Sequence, residues 1–211
     1  MNRRILRSPI MNIPTYPDEP IYVPDMMVAI VALSDYEKLN KSKYATTIDQ
    51  WINQAKSDWL DANTGLLVSF LDESGHPDAT IKGSYTALNC YYLTKIDADF
   101  AKEQYENLKI HFLQTFPVSG IKEYHDRSCW LGLDIDGAPI ILNLSPSGTA
   151  FAIGAATYFK DIKFRKSLLK TAEIAGHTIK WNDKRHYLLS EVALVGEAIA
   201  LAMRTNYKTN D

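Results

Sequence analysis

The sequence predicts a mainly all-α fold: stacked αα-hairpins that form an incomplete α/α toroid, with short β-hairpins in the long loops. Three observations predict it. The first is a weak internal repeat. Gly83-Ser84-Tyr85-Thr86-Ala87 through Asp97-Ala98-Asp99-Phe100 returns as Ser147-Gly148-Thr149-Ala150 through Asp161-Ile162-Lys163-Phe164. The Thr pair lies 63 residues apart and the Asp and Phe pairs lie 64 apart. A period of roughly 60 residues with two helices per unit is the pattern of stacked hairpins. The second is that the two helices of a unit differ in character. Residues 86–95 and 149–158 are apolar nearly all round, so they are buried on most sides, whereas 98–114 and 162–175 carry one apolar stripe and meet water with the other face. The third is that connections alternate: short ones at 95–97 and 160–161, long ones at 62–83 and 116–146.

Taken in order, residues 1–21 read as an extended proline-rich N-terminal arm, with Pro9, Pro14, Pro17 and Pro20, and the first folded residues are expected near Tyr22. Such a start also fits the C-terminal part of a longer ancestral chain. The hairpin domain covers 22–205. Pro24-Asp25 opens a first inner helix through Met26–Leu33, and Ser42-Lys43-Tyr44 opens its partner. Inner helices at 86–95 and 149–158 alternate with outer helices at 98–114, where Phe100, Ala101, Tyr105, Leu108 and Phe112 share a face, and at 162–175. A last inner helix is expected over 187–204, with Glu191 and Glu197 paired to Arg185 or Arg204. Residues 206–211 read as a disordered tail. The long links contain β-like runs, Leu66–Leu71 and Ile140–Leu142, punctuated by Gly65, Gly75 and Gly120. About three and a half hairpins leave uncovered flanks, so self-association, as a homo-oligomer or with a partner subunit, is expected.

Composition narrows the function classes. With 46% apolar and 11% aromatic residues the chain supports a real core, and a formal charge of −2 lacks the basic excess of a nucleic-acid binder. No apolar run is long enough to span a bilayer. Arg3, Arg4 and Arg7 precede no signal-peptide core, and a soluble, cytoplasmic protein is the expectation. The two cysteines, Cys90 and Cys129, have no metal-ligand spacing and read as reduced thiols. No phosphate loop, dinucleotide fingerprint, HExxH, EF-hand or GxSxG elbow occurs, so neither cofactor nor metal is expected.

Candidate chemistry gathers in the long loops, where binding groups are commonly placed. Asp134 and Asp136 are two apart, which in an extended segment turns both carboxylates to one face. Such a pair in a concave, partly dry site splits its pKa values into an acid and a base; the alternative is turn formation and capping. Glu123 and His125 supply further proton-transfer groups and Tyr124 a stacking surface, unless this polar run is merely solvated. Lys82, Ser84, Tyr85 and Asn89 lie at the start of an inner helix, whose free N–H groups attract anions; Ser84 reads chiefly as an N-cap. Tyr85 and Asn89 face inward if that helix lines the arc. Ser145-Pro146-Ser147-Gly148 repeats the arrangement, with capping favoured. Asp25 is a third acidic wall residue or an N-cap.

Four segments carry a resemblance: Ile81-Lys82-Gly83-Ser84-Tyr85-Thr86-Ala87, Gly120-Ile121-Lys122-Glu123-Tyr124, Asp134-Ile135-Asp136-Gly137-Ala138-Pro139-Ile140 and Ser145-Pro146-Ser147-Gly148-Thr149-Ala150-Phe151. In that order they resemble the C-terminal part of a group of bacterial α/α-toroid proteins, distantly similar to the linalool dehydratase-isomerase family and to the six-hairpin glycosidases. The resemblance spans about residues 22–204. Where that group has Asp-x-Asp-Ser-Gly-Pro, this chain has Gly137-Ala138 before Pro139 and keeps both carboxylates. Two functions follow as expectations. One is a hydrolase or lyase acting by general acid–base chemistry on a polar or sugar-like small molecule, with Asp134, Asp136 and Glu123 as proton-transfer groups. The other is a non-catalytic binding or scaffold domain that completes a toroid with a second chain.

Overall fold

The computed structural model describes residues 1–40, 43–78, 80–133, 139–187 and 194–207. It is 53% helical. Its helices are α1 (Asn2–Arg7), α2 (Val23–Asn40), α3 (Ala45–Asp58), α4 (Gly83–Leu93), α5 (Ala98–Phe112), α6 (Pro146–Tyr158), α7 (Ile162–Gly176) and α8 (Leu194–Arg204). Among the described residues, four short antiparallel pairs join β1 (Ile21–Tyr22) to β2 (Phe70–Leu71), β3 (Leu113–Gln114) to β4 (Gly120–Ile121), β5 (Leu131–Gly132) to β6 (Ile140–Ile141), and β7 (Thr178–Trp181) to β8 (Lys184–Tyr187). Helices α2, α4, α6 and α8 touch one another in that order, and α3, α5 and α7 each pack on the helix that precedes them.

The two helix characters read from the sequence are both present. In α6 the residues from Ala152 to Thr157 are all buried, and Gly154 explains how α6 holds neighbours on two sides. A methyl group there would stand 2.6 Å from Tyr91 of α4 and 2.5 Å from Met203 of α8, so only a bare backbone admits both. Helix α5 instead buries one stripe, Phe100, Ala101, Tyr105, Leu108 and Phe112, as its spacing predicts. One core cluster gathers Met27, Ile30, Trp51, Trp59 and Phe100; a second gathers Cys90, Tyr105, Phe112, Ala155 and Leu168.

The repeat is visible as a repeated helix start and a repeated clamp. Asp97 caps α5 by accepting from the Phe100 N–H at 2.9 Å, and Asp161 caps α7 by accepting from Phe164 at 3.2 Å. Each capping carboxylate also takes a lysine from the preceding outer helix. Lys56 of α3 reaches Asp97 at 2.7 Å and lies 5.1 Å from the Phe100 ring; Lys109 of α5 reaches Asp161 at 3.1 Å and lies 4.6 Å from the Tyr105 ring. The Tyr105 hydroxyl donates to Asp161 at 2.9 Å.

This clamp makes stability depend on acid. Burial works to raise the Asp161 pKa, but the Phe164 N–H, the Lys109 ammonium and the Tyr105 hydroxyl outweigh it and hold the carboxyl below its ordinary 3.8. A depressed folded-state pKa contributes stability above the unfolded value, and that contribution is lost as pH falls through the folded one. Asparagine caps a helix as well as aspartate does, so Asp161→Asn removes the charge and keeps the cap. We expect it to be less stable than wild type by about 1 kcal/mol at pH 7, with the gap closing below pH 3.8. Thermal melts across that range check it.

The structure corrects three expectations at the chain ends. Residues 1–21 are not an extended arm throughout: Asn2–Arg7 is helical, Ile5 is fully buried, and Asn12 accepts a hydrogen bond from the Trp51 indole at 3.0 Å. Apolar residues Ile10, Met11 and Ile13 pack on the first core, so prolines set the turns here without freeing the chain. The last helix is described over Leu194–Arg204, within the expected 187–204, and residues 188–193 lie outside the described ones; Tyr187 itself is strand, because Lys184–Tyr187 pairs with Thr178–Trp181 across Asn182-Asp183, both at positive φ as a two-residue hairpin turn favours. In the tail, the Asn206 amide donates to the Gly154 carbonyl at 3.1 Å, so residue 206 is docked on α6; residues 208–211 lie outside the described ones.

Candidate functional site

The segment after β4 runs between the N-termini of α4 and α6 and is stitched to both. Gly83 N–H donates to the Glu123 carbonyl at 2.9 Å, Ser145 N–H to Ile121 at 2.8 Å, and Glu123 N–H to Asn143 at 3.1 Å, while Ile121 N–H donates to the Thr149 hydroxyl at 3.0 Å. The two helix starts nearly touch, since a methyl group at Gly148 would stand 3.0 Å from the Ser84 Cα.

Within this arrangement Glu123 is 1% exposed. Its carboxylate accepts from the Ser84 hydroxyl at 2.7 Å and from the Ser84 N–H at 3.3 Å. A carboxylate at a helix N-terminus meets both the free N–H groups and the positive end of the dipole. The capping of α4 therefore differs from the expectation. Ser84 is not the N-cap; Lys82 holds that position without a side-chain cap bond, and a glutamate brought from 39 residues away binds the helix start. At α6 the expectation holds: Ser145 accepts from the Gly148 N–H at 3.2 Å.

Lys82 is buried as well. Its N–H donates to the Ser69 hydroxyl at 2.8 Å, and its ammonium lies 5.2 Å from the Tyr85 ring and 5.9 Å from the Phe70 ring. Tyr22 completes a triad of edge-on rings, 5.2 Å from Phe70 and 6.2 Å from Tyr85, with Phe70 and Tyr85 5.6 Å apart. Sequence reasoning missed Tyr22 and Phe70. They become neighbours through the β1–β2 pairing, which sets Tyr22 opposite Phe70, and no periodicity links positions so far apart.

The expected site residues thus divide. Lys82, Ser84, Tyr85 and Glu123 come together at the start of α4. Asn89 is 1% exposed one turn beyond Tyr85, with neither side-chain oxygen nor nitrogen hydrogen-bonded. Tyr124 and His125 line a different place, a cavity of about 170 Å³ shared with Thr80, Ile81, Asp126 and Arg127. There the Arg127 guanidinium stacks 3.9 Å from the Tyr124 ring, and the buried His125 Nδ1 has no hydrogen-bond partner. Asp25 is exposed and accepts from the Thr15 hydroxyl at 2.6 Å, so its described bond goes to the N-terminal segment and not to the α4 cluster. Asp134 and Asp136 lie outside the described residues, as do Glu191 and the side chains of Glu197 and Arg185.

Both cysteines are free. Burial pushes the Cys90 thiol far above its ordinary pKa, which makes it a packing residue and not a nucleophile. Among the described residues no group of three His, Cys, Asp or Glu side chains is placed to hold a metal ion, and no helix is long and apolar enough to cross a membrane. Neither a protein-family model nor a curated protein matches the chain.

Proposed function

We propose that this chain binds a polar small molecule at the start of α4 and acts on it as a hydrolase or lyase by general acid–base chemistry. The observation that carries the reading is the cluster of buried Lys82, Ser84 and Glu123 beside half-buried Tyr85. Two segments far apart in sequence bring an ammonium, a hydroxyl, a phenol and a carboxylate to one helix end beside two further aromatic rings, Tyr22 and Phe70. Buried charge is costly and is kept where it is paired or used. The Glu123 carboxylate holds the α4 start, so it is a positioning group in this reading. Proton transfer falls to Asp134 and Asp136, in the connection between β5 and β6; the segment flanking that connection is tied to Glu123 through Asn143. The resemblance to α/α-toroid proteins agrees with the alternation of buried and one-sided helices, and two free thiols suit a cytoplasmic setting.

Substrate screening with wild type and Asp136→Asn tests the proposal. Turnover of one polar compound, lost at least a hundredfold in Asp136→Asn at unchanged melting temperature, is the expected result. Turnover that survives in the variant removes the assignment.

A second reading has its own support. Trp130, Leu131, Leu133 and Ile141 are 53–90% exposed on and beside the β5–β6 hairpin, and Leu201 is 66% exposed on α8. Exposed apolar groups of this kind fit a non-catalytic domain that completes a toroid with a second chain. Light scattering separates the two: a stable dimer without turnover of any compound favours the scaffold.

A further inference from the structure

Asn89 stands out among the buried polar residues. It is 1% exposed, and neither its Oδ1 nor its Nδ2 has a hydrogen-bond partner. A buried amide with both ends unmade is costly, and such a group needs an account in terms of a ligand, a water or stored strain. Its position supplies one. Asn89 follows Lys82 by seven residues and Tyr85 by four, so the three lie on one face of α4, and a helical side chain leans over the turn N-terminal to it. That turn carries Tyr85, part of the Tyr22–Phe70–Tyr85 aromatic triad. The strip of α4 beside Asn89, Tyr85, Leu88 and Tyr92, is only half-buried, so the amide is one side chain away from the surface.

We infer that Asn89 is a ligand-binding residue of this site and that it holds a vicinal pair of hydroxyls on a polyol. A carboxamide offers one acceptor and one donor side by side, and a vicinal diol matches it, one hydroxyl donating to Oδ1 and the other accepting from Nδ2. The aromatic rings offer an apolar face to the carbon side of such a molecule. This inference rests on the polar small-molecule reading above and names the ligand class for it.

The experiment is saturation-transfer NMR on the full chain with D-glucose, D-xylose, myo-inositol and, as an acyclic probe, D-sorbitol. Wild type is expected to bind at least one of them. Asn89→Leu, close in volume and without the amide, is expected to melt higher than wild type when free, because the unmade hydrogen bonds are gone, and to bind at least tenfold more weakly. Asn89→Ala serves if the leucine does not fold, and a deoxy analogue lacking one hydroxyl of the pair should lose affinity for wild type and not for Asn89→Ala. Binding of the polyol by either variant as tightly as by wild type overturns the inference, as an amide occupied only by water would give. So does a wild type that binds none of the four. Failure of the catalytic reading looks different: the polyol binds through Asn89 and is not turned over. Turnover of a compound that Asn89 does not sense removes this inference alone.

Discussion

Gly83→Ala is expected to destabilise the protein by about 3 kcal/mol, the upper range for forcing a group into a filled space. A methyl group at Gly83 would overlap the Lys122 carbonyl oxygen and stand 2.8 Å from the Phe112 ring and 2.9 Å from Ile121. The carbonyl belongs to the backbone of the segment that also accepts the Gly83 N–H, so no side-chain rotation relieves the overlap. The segment after β4 and the start of α4 must separate, and the Glu123 bonds to Ser84 go with them. A control makes the cause visible. Gly196, on an exposed stretch of α8, has nothing within 4 Å of the same added carbon. There Gly196→Ala is expected to stabilise by roughly 0.5–1 kcal/mol through lower chain entropy and better helix propensity. Urea unfolding of the two variants checks both signs; a Gly83→Ala protein as stable as wild type would show that the close approach is not real.

Glu123→Ala is expected to cost about 2–4 kcal/mol. The substitution strands the Ser84 hydroxyl and N–H in a place water does not reach, and it removes the negative charge from the α4 N-terminus. Glu123→Gln keeps an acceptor for the Ser84 hydroxyl and is expected to cost less than half as much. The pair also separates roles. If Glu123 positions the helix start, turnover follows stability, and Glu123→Gln retains most of it. A glutamine variant that folds and melts like wild type but has lost all turnover would make Glu123 a proton-transfer group.

How far the sequence reached depends on how local each signal is. The helix starts at Asp97, Ser145 and Asp161 are readable because a cap and the N–H it binds lie three residues apart. The α5 face is readable because helical periodicity places Phe100, Tyr105, Leu108 and Phe112 together without reference to any other element. The β7–β8 hairpin is equally local, an Asn-Asp turn between two polar-aromatic runs, and only its last residue, Tyr187, falls within the helix expected over 187–204. The burial of Ile5 and the Asn12–Trp51 bond were not readable, since prolines mark turns and do not say what packs between them.

The sequence by itself determined the alternation of buried and one-sided helices and marked Lys82, Ser84 and Tyr85 at a helix start and Glu123 in a separate long loop as polar candidates, because periodicity and capping are properties of short stretches. Tertiary structure alone decided which of them meet. It gave the α4 start to Glu123 in place of Ser84, brought Tyr22 and Phe70 to Tyr85, set Tyr124 and His125 in a separate cavity, and turned Asp25 to Thr15. Each of these contacts joins segments ten or more residues apart. Their partners are chosen by which helices stack and which strands pair, information that no single window of the chain contains.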